Sequence, residues 1–225
     1  MKLCFDGLSD PGVVRSVNQD NFYIDPQGRY FIVADGMGGH AGGEEASKIA
    51  TSTIKSCLDQ YWDTEISSTD LLVKAIEAAN QAILDDQKEH PERKDMGTTV
   101  VVLILREQPW CAHIGDSRLY RLRKSQLEQI TQDHTWVSMA LRAGDMTAED
   151  AKVHPWRHVL SQCLGRPDIQ NIEIQPLEIL AHDRILICSD GLTEEVSDEM
   201  ISSYLQKTDA SCHEIAAGLI EEAKQ

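Results

Sequence analysis

Three short phrases share one pattern: Val33-Ala34-Asp35-Gly36, His113-Ile114-Gly115-Asp116 and Cys188-Ser189-Asp190-Gly191. Each places an aspartate where an apolar run ends, so a rigid backbone can fix a carboxylate at the open end of a sheet. Hard oxygen donors of this kind suit Mg2+ or Mn2+, whereas zinc prefers histidine and cysteine. Asp-Gly is also a common turn dipeptide, and Asp6-Gly7 reads as no more than that. One such phrase is more often a turn than a ligand. Three in one acidic chain shift the balance towards a metal centre, although spacing alone does not make them converge. The glycine-rich stretch 35–44 has the look of a phosphate cradle leading into a helix N-terminus. It lacks the Lys-Ser/Thr of a P-loop and the Gly-x-Gly-x-x-Gly spacing, so a nucleotide reading is weak. Its glycines serve equally to let backbone approach a metal or a neighbouring strand.

The elements that must position these residues are legible in the apolar periodicity. Residues 31–34 form a short buried strand that meets the Asp35-Gly36 turn. A helix opens at Glu44, with Ala46, Ile49, Ala50, Ile54 and Cys57 on one stripe. A second starts near residues 68–70 and buries Leu72, Ala75, Ile76, Ala79 and Ile83. Residues 99–105, 110–114, 118–122 and 127–130 are β-type runs with only turns between them, an antiparallel meander. Residues 172–179 and 184–188 add two further strands. Between these groups lies a His-rich helical insert, 136–158, where Gly144 can end one helix and Thr147 with Asp150 can cap the next. Ser211 and Glu214 form a capping box for a last helix carrying Ile215, Leu219 and Ile220. The class is α+β, with antiparallel sheets covered by helical pairs.

Composition narrows the partners. The chain has 225 residues and a net charge of −16, a field that repels nucleic acid and anionic membrane and attracts cations. Residues 100–105 are the longest strongly apolar run, far short of the ~20 residues of a membrane span. The start of the chain lacks the apolar core of a secretory signal. Six cysteines fall at irregular spacings without a Cys-x-x-Cys pair, as expected of a reduced, cytoplasmic chain. Nothing resembles a coiled coil or a long exposed apolar strip, so a monomer of one domain, 1–225, is expected.

Five phrases then follow in order: Arg15-Ser16-Val17-Asn18-Gln19-Asp20, residues 31–40, Met96-Gly97-Thr98-Thr99, Gly115-Asp116-Ser117-Arg118 and Ser189-Asp190-Gly191-Leu192. Together they closely resemble the metal-dependent protein serine/threonine phosphatases of type 2C in their short prokaryotic form. The resemblance runs from about Leu8 to the last residue, and it implies an antiparallel β-sandwich flanked by helical pairs, in αββα layers, with an inserted helical flap at residues 136–167. It implies a bacterial signalling enzyme acting on phosphorylated proteins with two core Mg2+ or Mn2+ ions and a third, weaker one. By the same resemblance Asp35 would bridge the core ions, the Gly36 carbonyl would help to hold one, and Asp190 would ligate the other. Asp116 with Asp190 would build the weaker site. Asp20 would orient the attacking water, Arg15 would clamp the substrate phosphate, and His40 would be the general acid.

The chain departs from the family pattern in three ways. Its flap reads His154-Pro155-Trp156-Arg157-His158, where the family commonly has Asn at the last position, so His158 either tunes substrate choice or only packs. His154 and His158 mimic a zinc pair, but Pro155 disturbs the helix and no nearby cysteine completes a set. The family's closing Gly-x-x-Asp-Asn phrase and final strand are not in the sequence, so the natural protein is expected to continue. Metal-dependent hydrolysis of phosphoserine and phosphothreonine is the leading function. A phosphoprotein-binding pseudophosphatase with a weakened metal site is the alternative, and a nucleotide-binding enzyme ranks last.

Overall fold

The computed structural model describes residues 3–38, 42–169 and 172–225. In chain order its strands are β1 (Asp20–Ile24), β2 (Tyr30–Met37), β3 (Gly97–Thr98), β4 (Val100–Leu105), β5 (Pro109–Ile114), β6 (Arg118–Arg123), β7 (Gln126–Gln129), β8 (Glu173–Pro176) and β9 (Arg184–Cys188). Its helices are α1 (Gly42–Tyr61), α2 (Ser68–Glu89), α3 (Trp136–Ala143), α4 (Ala148–Val153), α5 (Asp190–Thr193), α6 (Asp198–Leu205) and α7 (Cys212–Ala223). None of the described helices is long and apolar enough to cross a membrane.

β4 reads Val-Val-Val-Leu-Ile-Leu, and a strand without polar residues must be covered on both faces. Val100, Val102 and Ile104 pack among Ile54, Leu72 and Ile76 of α1 and α2. Val101 and Leu103, pointing the other way, join Leu119, Ile185 and Ile187 of a second sheet. The first sheet runs β1-β2-β4-β5-β8, antiparallel throughout, with β3 continuing the pairing at the end of β2. The second runs β7-β6-β9. Its outer face, through Leu122, Leu127 and Leu186, packs on Ile201, Leu205, Ile215 and Leu219 of α6 and α7. The order of layers is therefore helices, sheet, sheet, helices, the αββα sandwich expected from the sequence.

Local signals set most boundaries. Ser67 caps α2 by accepting from the Asp70 N–H, one residue before the expected start. Gly144 ends α3 with φ 77°, Thr147 caps α4, and Ser211 with Glu214 forms the capping box of α7. α1 begins at Gly42, two residues earlier than Glu44. The strand expected over 172–179 pairs only over Glu173–Pro176. β1 and the short α5 and α6 carry too little periodicity to be read in advance.

The junction of β2 with α1 is the tightest in the fold. The Gly36 N–H donates to the Gln19 carbonyl at 3.0 Å, and a Cβ on Gly36 would stand 1.9 Å from the Gly43 carbonyl oxygen. Backbone fills that space, so no side chain can turn aside. Gly36→Ala should therefore cost about 3 kcal/mol or more in denaturant unfolding. Gly191→Ala, whose Cβ would meet nothing nearer than Ser189 Oγ at 3.9 Å, should stay within about 0.5 kcal/mol of the parent. Equal stability of the two variants would mean that α1 docks elsewhere.

Candidate metal centre

The pairing of β1 with β2 sets Asp20 directly opposite Asp35, so both side chains project from one face at one end of the first sheet. The second sheet delivers the third carboxylate. β9 ends at Cys188, Ser189 Oγ donates to Asp20 Oδ2 at 2.7 Å, and Asp190 follows as the first residue of α5. Asp116 lies on the connection between β5 and β6, where the chain passes from one sheet to the other. The Asp35 backbone is fixed on both sides. Its N–H donates to Thr99 Oγ1 at 3.1 Å, and its carbonyl accepts from Thr98 Oγ1 and the Thr99 N–H, each at 2.8 Å. Thr99 Oγ1 in turn lies 2.6 Å from Ser117 Oγ, beside Asp116.

Burial pushes the Asp35 carboxyl well above the usual range, and the nearby charges of Asp20 and Asp190 push it further. Both effects favour the protonated form of Asp35 when no cation is bound. Burial also raises Asp20, against the pull of the Ser189 hydroxyl and the Arg15 charge. Asp116 is raised to about 7, first by burial and then by the charges of Asp190 and Asp133. Among the described residues no lysine or arginine forms an ion pair with any of these four carboxylates. Arg118, the nearest candidate for Asp116, is committed to Asp133 through Nε at 3.0 Å and Nη2 at 2.7 Å. Buried carboxylates without a counter-charge are strongly disfavoured. An all-oxygen donor set of this kind fits Mg2+ or Mn2+.

The other expected site residues divide. Arg15 is exposed at the rim, with Nη1 donating to Gln19 Oε1 at 3.1 Å. Gly36 pairs across β2 and β3 with Thr98 beside Asp35. His40 lies outside the described residues. His158 ion-pairs with Glu194, and these two with Asp190 bring ligand atoms within 4.8 Å of one another, so the flap reaches the carboxylate cluster. His154 instead stacks on Trp136, with ring centroids 4.9 Å apart, and accepts the Trp156 N–H at Nδ1. His154 and His158 therefore turn to different partners. Sequence reasoning did not find Ser189 as the partner of Asp20, Thr98 and Thr99 as the supports of Asp35, or Glu194 as the partner of His158. The phrase Met96-Gly97-Thr98-Thr99 was visible, but nothing local ties a threonine to a residue 63 or 64 positions away.

The raised carboxyls give the metal-free chain a definite pH dependence. The folded state holds protons on Asp35 and Asp116 that the unfolded chain releases near 3.8, so their contribution is lost as pH rises through the folded values. His113, lowered chiefly by burial, acts oppositely, but only up to the ordinary histidine range. Between roughly pH 6.5 and 8 the melting temperature in chelator should fall with rising pH, and more gently in Asp116→Asn. A flat or rising profile in the parent would mean that these carboxylates are ionised in the fold.

A family model described as protein phosphatase 2C matches residues 13–217. The serine/threonine protein phosphatase PstP of Mycobacterium tuberculosis is 38% identical over 208 residues, which are 91% of this chain and 39% of that protein. The chain thus spans well under half the length of that relative. Protein phosphatase PhpP of Streptococcus pneumoniae is 37% identical over 203 residues, 86% of this chain and 80% of the relative. The crystal structure of M. tuberculosis PstP superposes with a TM-score of 0.85 at 38% identity, covering 96% of this chain and 90% of that one. A second structure, of the PstP catalytic domain in complex with two manganese ions, gives 0.82 at 36% identity over 96% and 89%. With a family model matching residues 13–217 and relatives 37–38% identical over most of its length, the chain belongs to the protein phosphatase 2C family.

Proposed function

We propose that the chain hydrolyses phosphoserine and phosphothreonine on proteins. Asp35, Asp190 and the Gly36 carbonyl would hold two core Mg2+ or Mn2+ ions, and Asp116 with Asp190 a third, weaker one. The observation that carries this reading is the convergence of Asp20, Asp35 and Asp190 as crowded carboxylates with no lysine or arginine among the described residues paired to them. The relative whose structure contains two manganese ions supports the choice of cation. Bound divalent ions would supply positive charge to the phosphoryl oxygens and an acidified water for in-line attack.

The chain's own residues do the rest. Burial and its carboxylate neighbours favour a proton on Asp35, so cation binding would compete with that proton. Asp20, fixed by the Ser189 hydroxyl, presents a carboxylate oxygen that can accept a hydrogen bond from the attacking water. Arg15 offers a planar guanidinium at the rim, suited to two phosphate oxygens at once. The serine or threonine alkoxide needs a proton on departure, and the family resemblance gives that role to His40. His158, in contact with Glu194 and near Asp190, would meet residues flanking the phosphorylated one.

Asp35→Asn should lower Mn2+-dependent phosphate release at least about a hundredfold. In chelator the same variant should melt no lower than the parent, because the amide replaces a carboxyl that is already protonated. Mn2+ affinity unchanged by calorimetry would remove Asp35 from the centre. For Arg15→Ala, KM for a phosphothreonine peptide should rise about tenfold while kcat changes little. Identical constants for parent and variant would leave Arg15 as a surface residue. A parent chain that binds phosphopeptide but releases no phosphate at saturating Mn2+ would be the pseudophosphatase.

A further inference from the structure

Gly115, the residue before Asp116, has φ 104°, and a Cβ there would stand 2.6 Å from Thr99 Cβ and Cγ2. One residue takes both of its backbone polar groups. The His134 N–H donates to the Gly115 carbonyl at 2.9 Å, and the Gly115 N–H donates to His134 Nδ1 at 3.1 Å. The His134 carbonyl then accepts from the Ser161 N–H at 2.8 Å, on the segment where the flap returns to the body. Beside it Thr135 bridges to Leu160, and the Trp136 N–H donates to the Val159 carbonyl at 2.8 Å. His134 therefore touches the Asp116 turn, begins the flap, and holds the flap's far root.

The imidazole is only 1% exposed and stacks on His113, with ring centroids 4.7 Å apart. A ring nitrogen that accepts from a peptide N–H must carry a lone pair, so the neutral ring bears its proton on Nε2, which faces Glu173 Oε1 at 3.3 Å. His113 Nε2, 3.7 Å from Glu173 Oε2, lies 2.8 Å from the Gln132 carbonyl and carries a proton too. His113, His134 and Glu173 have ligand atoms close enough for a metal. The two nitrogens that face Glu173 have no lone pair to give one, so the group does not suit a cation.

We propose that His134 is a positioning residue that couples the seating of the flap to the Asp116 carboxylate. This rests on the reading of Asp116 as a ligand of the weaker ion. When the flap root leaves its place, the Ser161 bond and the clamp on Gly115 loosen together, and the weaker ion loses a fixed ligand. Flap position and occupancy of that ion are then linked through one buried side chain.

His134→Asn and His134→Gln separate this role from simple packing. Asn sets an amide oxygen where Nδ1 lies and can still accept from Gly115, whereas Gln sets its amide out near Nε2. Amide hydrogen exchange in the metal-free chain, read on peptides covering 113–118 and 159–164, is the first measurement. The Gln variant should exchange about tenfold faster in both segments, and the Asn variant should stay within about threefold of the parent. The Mn2+ concentration needed to saturate the weaker site should rise about tenfold in Gln and little in Asn. Ser161→Pro, which removes the N–H that reaches His134 and also constrains Leu160 at the flap root, should speed exchange in 113–118 as well, and it decides the matter if the Gln variant does not fold. Equal behaviour of Asn and Gln, or unchanged exchange at 113–118 in Ser161→Pro, would overturn the proposal. A parent without Mn2+-dependent phosphate release would instead sink the phosphatase reading and leave the exchange result to stand on its own.

Discussion

Asp20, Asp35 and Asp190 are held where their own charges oppose one another, and backbone, not counter-charge, keeps them there. Two like charges about 4 Å apart in an effective dielectric near 20 repel by about 4 kcal/mol, a large fraction of the stability of an ordinary domain. The sandwich can bear this because the carboxylates sit at the end of its sheets while the apolar clusters lie along their length. The β1–β2 register sets Asp20 against Asp35, and Thr98 at the end of β3 and Thr99 just after it pin the Asp35 peptide from the other side. Protonation of Asp35 relieves the crowding in the absence of a cation. On the proposed reading, the fold sets these carboxylates in place and a cation would displace a proton from them.

The layers were legible because β4, α1 and α2 bury their side chains with clean periodicity, and the caps at Thr147 and Ser211 use only residues three positions apart. β1 escaped notice because it is short and half-buried, with Phe22 turned outward. α5 and α6 span four and eight residues, too few for a stripe to stand out. For the site, Asp35, Asp116 and Asp190 were readable as carboxylates at the ends of apolar runs. Their partners were not. Ser189 reaches Asp20 across 169 positions, and the His134 clamp on Gly115 spans 19. Serine and histidine in loops carry no local mark of such bonds, which exist only once the two sheets face each other.

The flap follows a different logic from the sandwich. Its helices are short, and only Val137 of α3 and Ala151 of α4 are buried. Capping by Thr135 and Thr147, the left-handed Gly144 and the packing of Trp136 with His154 and Trp156 give it internal order. Its ties to the body include backbone bonds at the roots, bonds from Asn80 and Gln87 to Gly165 and Arg166, the Arg142–Gln132 bond, and the His158–Glu194 pair near Asp190. A segment with its own local structure but few buried contacts to the body can move as a unit at small free-energy cost. Glu194, raised chiefly by burial and by the Asp190 charge, places the outer tie within the field of Asp190.

The acidity of the chain bears on the order of events at this site. Its net charge is −16, and several arginines are consumed internally, Arg29 by Asp25 and Asp59, Arg118 by Asp133, and Arg123 by Glu178 and Asp183. A phosphate group approaching the bare carboxylate cluster meets repulsion from the cluster and from the field of the whole chain. Arg15 alone, exposed and screened by solvent, is a weak counterweight. Two divalent ions outweigh the three crowded carboxylates and reverse the local sign. On the proposed reading, affinity for phosphate is conditional on prior occupancy by metal. The same excess of negative charge that would exclude the substrate from the empty site draws the cations in.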